Sequence, residues 1–170
     1  MRRDLPKLSF FFLVFIPARF AWTTGIPRPD IPVQQEKLPV KESRLLFSMV
    51  TDILTYVNED RKQQGLAPLT LNEVESDIAA RHSQDMASGR VPFGHSGINT
   101  RAKAIRKALG AIRSVGENVA SGPMNAREVV DGWLHSPGHK RNIEGDFTLT
   151  GIGYAPDKKG NIFFTQIFSK

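Results

Sequence analysis

Leu149-Thr150-Gly151-Ile152-Gly153-Tyr154 and Ile162-Phe163-Phe164-Thr165-Gln166-Ile167-Phe168 decide the class of fold. Both runs are rich in β-branched and aromatic residues. Between them Pro156-Asp157-Lys158-Lys159-Gly160-Asn161 supplies turn formers, so the two predict an antiparallel hairpin. Val115 to Ala120 can supply a third strand, although Gly116 weakens it. Everything upstream has helical spacing. Leu45, Leu46, Met49, Val50, Ile53, Leu54 and Val57 form one stripe from Glu42, closed by Gly65 as a C-cap. A second helix opens near Thr70 or Asn72, carries Val74, Ile78, His82 and Met86, and ends at Gly89. A third spans about 100–109. A fourth runs from Ala126 to about His135 and buries Val129, Val130, Trp133 and Leu134. Helices followed by a small antiparallel sheet make an α+β fold, with helices packed on the sheet.

The chain has 170 residues, a size suited to one domain with its own core. Its formal charge of +6 is unevenly spread. Residues 1–41 hold seven Lys/Arg against three acids, leaving only +2 for the remainder. Nucleic acid is therefore not expected as a partner. The local run Arg101, Lys103, Arg106, Lys107 and Arg113 contains no acid and is expected to be a solvated helix face.

Met1-Arg2-Arg3 followed by the apolar run from Leu8 to Ile16 has the form of a secretory signal or N-terminal anchor over residues 1–22. The apolar run is shorter than the roughly 20 residues needed to span a bilayer. Membrane association, if any, is expected through this segment. Residues 23–41 are proline-rich and aperiodic, an extended linker, and the folded domain is expected over 42–170. The chain has no cysteine, which excludes disulfides and thiol chemistry.

Three polar residues stand in turn-forming contexts: His95 in Gly94-His95-Ser96-Gly97, Glu117 in Gly116-Glu117-Asn118, and His139 after Ser136-Pro137-Gly138. Two imidazoles and a carboxylate can bind a metal or move a proton, but successive members are 22 residues apart, so only the fold can unite them. Among apolar neighbours, Glu117 must pair with a cation, bind a ligand or anchor a turn, because unpaired burial is costly. His135 and His139 cannot share one continuous helix across Pro137-Gly138, so they are not a paired zinc motif. His82 lies on an apolar stripe, where a hydrogen-bonded core histidine is expected. The G-x-S-x-G elbow and the nucleotide-binding glycine patterns are absent.

In order along the chain stand Asn58-Glu59-Asp60-Arg61, Gly65-Leu66-Ala67-Pro68-Leu69 and the run from Ala79 to Ala87. Gly94-His95-Ser96, Gly116-Glu117-Asn118-Val119-Ala120 and the run from Val130 through Trp133 and His139 to Ile143 follow. Gly151-Ile152-Gly153-Tyr154 and Thr165-Gln166-Ile167-Phe168 complete the set. This ordered set resembles the CAP superfamily of cysteine-rich secretory proteins, antigen 5 and pathogenesis-related proteins, in its cysteine-free bacterial branch, over roughly residues 46–168. The resemblance implies a three-layer α-β-α sandwich with a central cleft lined by two histidines and two acids. His95, Glu117 and His139 match three of those positions, and the fourth falls near Ser136, where many eukaryotic members carry glutamate. It implies a secreted, periplasmic or envelope protein whose cleft binds a divalent metal, zinc or calcium, through His95, Glu117 and His139. The role expected is non-catalytic binding of an extracellular lipid, glycan or protein. A lipid- or sterol-binding module and a metal-dependent hydrolase are the alternatives, and no catalytic residue is assigned.

Overall fold

The structure, a computed structural model, describes residues 40–170, and side chains from Ser48 onward. The expected leader and nearly all of the expected linker lie outside the described residues. Helix α1 (Val40–Gln63) is followed by β1 (Thr70–Leu71), α2 (Glu73–Ala87), α3 (Ile98–Leu109), β2 (Val115–Gly122), α4 (Ala126–Leu134), α5 (Pro137–Ile143), β3 (Leu149–Pro156) and β4 (Ile162–Ser169). α1 thus begins two residues before the expected domain start.

Helix ends follow local chemistry. Gly65 and Gly89 adopt φ of +72° after α1 and α2. Leu66 N–H then reaches back to Arg61 O, and Arg90 N–H to Asp85 O, closing both helices in Schellman fashion. α4 opens with a reciprocal capping box between Asn125 and Glu128.

The sheet order is β1-β3-β4-β2. β3 and β4 form the expected hairpin, with Gly151 opposite Ile167, and β2 pairs antiparallel to β4 with Glu117 opposite Ile167. One strand escapes the sequence reading. Thr70-Leu71, expected near a helix start, pairs parallel with Leu149-Thr150, so the sheet is mixed rather than wholly antiparallel. Asn72 is the N-cap of α2, its side chain accepting from Glu75 N–H.

Alternation along β4 sends side chains to two faces. Phe164 and Phe168 join Ile53 and Val57 of α1, Val129, Val130 and Trp133 of α4, and Ile143 of α5 in the larger core. Ile167 faces Ala79 of α2 and Ile105 of α3 in the smaller one. The result is the α-β-α sandwich expected. Trp133 is 1% exposed, and its indole Nε1–H donates to Val119 O at 3.3 Å. At the end of α1, Arg61, 2% exposed, donates to the carbonyls of Ala67, Ile143 and Gly145 at 2.7–2.9 Å and to Phe147 O at 3.3 Å.

The buried face of α2 differs from the expected stripe. Glu75, Ala79, His82, Ser83 and Met86 are buried, whereas Val74 and Ile78 are half-buried. The cause is close contact with β3. A Cβ on Gly151 would fall 2.1 Å from the Glu75 carbonyl carbon, and one on Gly153 would fall 2.1 Å from Ala80 N. Where the helix backbone comes this near, at Glu75–Ser76 and Ala79–Ala80, no large apolar side chain can stand between it and β3, so Val74 and Ile78 lie to the side.

Candidate functional site

The site is built from a loop, a strand and a short helix. The loop 94–97 between α2 and α3 presents His95, β2 carries Glu117, and α5 carries His139. Pro137 does more than stop the preceding helix: it occupies the first turn of α5, where its missing N–H costs nothing. His135 caps the end of α4 and lies outside the cluster, its ring nitrogen bonding to Asp131 O.

His95 and Glu117 meet directly. The imidazole Nδ1 lies 3.0 Å from Glu117 Oε1, with side chains 49% and 2% exposed respectively. Arg101 completes the arrangement as a fork: its Nε donates to Oε2 and its Nη2 to Oε1, both at 2.7 Å. Its Nη1 donates to Ser96 O at 2.8 Å. Glu117 therefore pairs with a cation, and Arg101, its side chain only 12% exposed, is not part of a solvated face as expected. Lys103, Arg106, Lys107 and Arg113 are exposed.

Because an ionised carboxylate only accepts, the Nδ1–H of His95 donates to Glu117 and Nε2 is left as the outward ring nitrogen. His82 steadies the loop from behind. It is 3% exposed and bonds through Nε2 to Gly94 O at 2.9 Å, the structural role expected of it. Burial holds the His82 imidazole below its ordinary pKa. A cavity of about 330 Å³ lies beside the loop, lined in part by His82, Ser96, Thr100 and Arg101.

His139 joins through the backbone and through charge. Asn118 Nδ2 donates to His139 O at 3.1 Å, and Asn142 Nδ2 donates to Asn118 Oδ1 at 2.8 Å and Glu117 O at 3.1 Å. These two amides tie α5 to β2. A side chain at Gly116 would press on Asn142 and Phe147 at 3.1 Å, which explains the glycine before Glu117. Burial, and then the nearby His95, hold the His139 imidazole below its ordinary pKa. Ser136 is the N-cap of α5 and makes no side-chain cap bond.

The fold thus gathers His95, Glu117 and His139 into one neighbourhood. The set does not fit a divalent ion held by all three. Glu117 already accepts three hydrogen bonds from Arg101 and His95, and among the described residues no three histidine, aspartate or glutamate side chains are grouped to hold a metal. Arg101, Asn118 and Asn142 are the site residues that sequence reasoning did not single out. The signal for Arg101 was the requirement that a buried carboxylate find a cation, and Arg101 lies in the first turn of the helix after Gly97.

The profile of the cysteine-rich secretory protein family matches residues 54–168, which span every residue of this site. The chain belongs to the CAP family. The CAP domain is 33% identical over 120 residues to an uncharacterized protein, YkwD, of Bacillus subtilis (strain 168), an alignment covering 69% of this chain and 46% of that protein. The chain therefore spans less than half the length of this curated relative. A solved extracellular protein containing an SCP domain, from Bacillus anthracis str. Ames, superposes with a TM-score of 0.62 at 25% identity, covering 85% of this chain and 44% of the other. An outer surface protein of Borrelia burgdorferi shares the fold, with a TM-score of 0.57 at 22% identity over 77% of this chain and 93% of that one. This member lacks the cysteines of the family's name.

Proposed function

We propose that this CAP domain is a non-catalytic binding module acting outside the cell or at its envelope, and that its ligand meets the cleft formed by His95, Glu117 and His139. The observation that carries this reading is the half-exposed His95 ring, oriented by a carboxylate that is almost wholly buried. An imidazole held in one tautomer at the surface is a preorganised contact for a ligand. The extracellular and outer-surface relatives and the charged, then apolar, N-terminus support the location. The expected divalent metal enters this reading less well, since an ion coordinated by Glu117 must first displace the Arg101 guanidinium.

Nitrogen–proton correlation spectra of the full chain, titrated with cell-wall glycan fragments and separately with anionic or zwitterionic vesicles, test the reading. Shifts confined to His95, His139 and their neighbours, lost in His95→Ala and His139→Ala, are expected with one of these ligands. A ligand bound with undiminished affinity by both variants would place recognition elsewhere.

A further inference from the structure

We propose that Arg101 is the resident cation of this cleft, supplying from within the chain the positive charge that a divalent ion would otherwise bring, so that the site works without metal. The proposal uses the same cleft as the ligand reading, but it is tested with metal ions alone, so either can fail while the other stands.

Three observations carry it. The first is the geometry of the fork. Nε and Nη2 of Arg101 each lie 2.7 Å from a different oxygen of Glu117, the paired arrangement that makes guanidinium–carboxylate contacts strong and directional. The second is capacity. A carboxylate offers about four lone pairs. Arg101 takes two and the Nδ1–H of His95 takes a third, so little of Glu117 remains for a metal. An incoming ion would find two imidazoles, one short of three protein donors, and a fixed positive charge beside them.

The third observation is that Arg101 is integral to the loop that presents His95. Its remaining nitrogen, Nη1, holds Ser96 O at 2.8 Å, next to the histidine it serves. One side chain therefore neutralises the buried acid, orients it toward His95 Nδ1 and anchors the loop. With Glu117 neutralised by Arg101, the outward Nε2 of a neutral His95 ring is an acceptor. The ligand class this suits is one bearing hydrogen-bond donors, such as a polyol hydroxyl, rather than an anion that needs a metal bridge. Arg101 acts here as a positioning residue, through Glu117 and His95.

Calorimetric titration of zinc chloride and of calcium chloride into the chelator-treated full chain, with parallel thermal melts, tests the proposal. Wild type is expected to give no saturable zinc or calcium heat at micromolar protein, and a melting temperature unmoved by either ion. Arg101→Gln frees the Glu117 carboxylate and is expected to bind zinc at least tenfold more tightly than wild type. The Arg101→Gln, Glu117→Gln double variant is expected to lose that gain. A one-to-one zinc complex in wild type that disappears in Glu117→Gln would overturn the proposal, as would a folded Arg101→Gln that gains no zinc affinity. Should Arg101→Gln fail to fold, the wild-type titration alone decides.

Discussion

Glu75 is fully buried on the sheet-facing side of α2, with Oε1 accepting the Ser169 hydroxyl and Oε2 without a hydrogen-bond partner among the described residues. Burial raises its carboxyl above the ordinary value of 4.5, and the Ser169 bond offsets only part of this. The folded state thus holds the proton more tightly than the unfolded state. The charged carboxylate costs stability above the folded pKa, and that cost vanishes as pH falls below 4.5. Glu75→Gln is expected to gain about 1–3 kcal/mol at pH 7. The advantage should shrink toward pH 4, as read from urea midpoints at the two values. His82 has the opposite sign. Its lowered pKa means the unfolded chain takes up the proton first, so stability falls as pH drops below 6.5. Between pH 7 and 5.5 the wild type should lose more stability than His82→Gln. At this scale the sequence was informative for the core histidine His82, found buried and bonded to Gly94 O, and for the Glu117 carboxylate, whose burial demanded a partner that Arg101 supplies. It did not single out Arg101, Asn118 and Asn142 as site residues, because the partners that tie them to β2 and α5 lie 16 to 25 residues away and no local pattern encodes that pairing.

Among the elements, α2 shows where periodicity stops being a guide. Strong apolar stripes identified α1 and α4 because those helices face the larger core with Ile53, Val57, Val129, Val130 and Trp133. Trp133→Ala is expected to cost about 3–5 kcal/mol through the cavity it leaves, measured by chemical denaturation. α2 instead meets β3 at backbone contact, and its inward face is Glu75, Ala79 and Ser83, with Ser83 Oγ donating to Gly153 O and Thr165 Oγ1. The reason lies in Gly151 and Gly153, whose place in the strand becomes meaningful only once the helix is laid across them. Gly153→Ala is expected to destabilise by about 3 kcal/mol, because backbone, not a mobile side-chain tip, obstructs the methyl. An unchanged midpoint would show that α2 can lift away. The strand β1 was illegible for a simpler reason. Two residues are too few for alternation, and its pairing depends on where β3 arrives from far along the chain.

Across the whole molecule, long-range ties stand in for the disulfides this chain lacks. Arg61 joins the end of α1 to the last residue of α5 and the segment after it, across 82 to 86 residues of sequence, through the carbonyls of Ile143, Gly145 and Phe147. Arg61→Lys keeps the charge but cannot span this set of carbonyls, and a loss of about 3 kcal/mol in denaturant unfolding is expected. The hairpin and the four longer helices were within reach of the sequence because they follow from local patterns, whereas the short α5, behind Pro137-Gly138, was not expected, and the layer order came only from the family resemblance. The Arg61 clamp and the Arg101–Glu117–His95 cluster were not within reach, because both depend on which distant segments meet.

Two side-chain donors that reach backbone carbonyls of β2 have one more effect. Asn142 occupies the carbonyl of Glu117 and Trp133 that of Val119, two residues apart and so on the same side of the strand. At the opposite margin of the sheet, β1 offers only two residues. A partner strand seeking to extend the sheet would find two central acceptors taken at one border and almost no template at the other. Strand-by-strand fibril growth is thereby hindered, and the hindrance comes from α4 and α5, which supply the two donors.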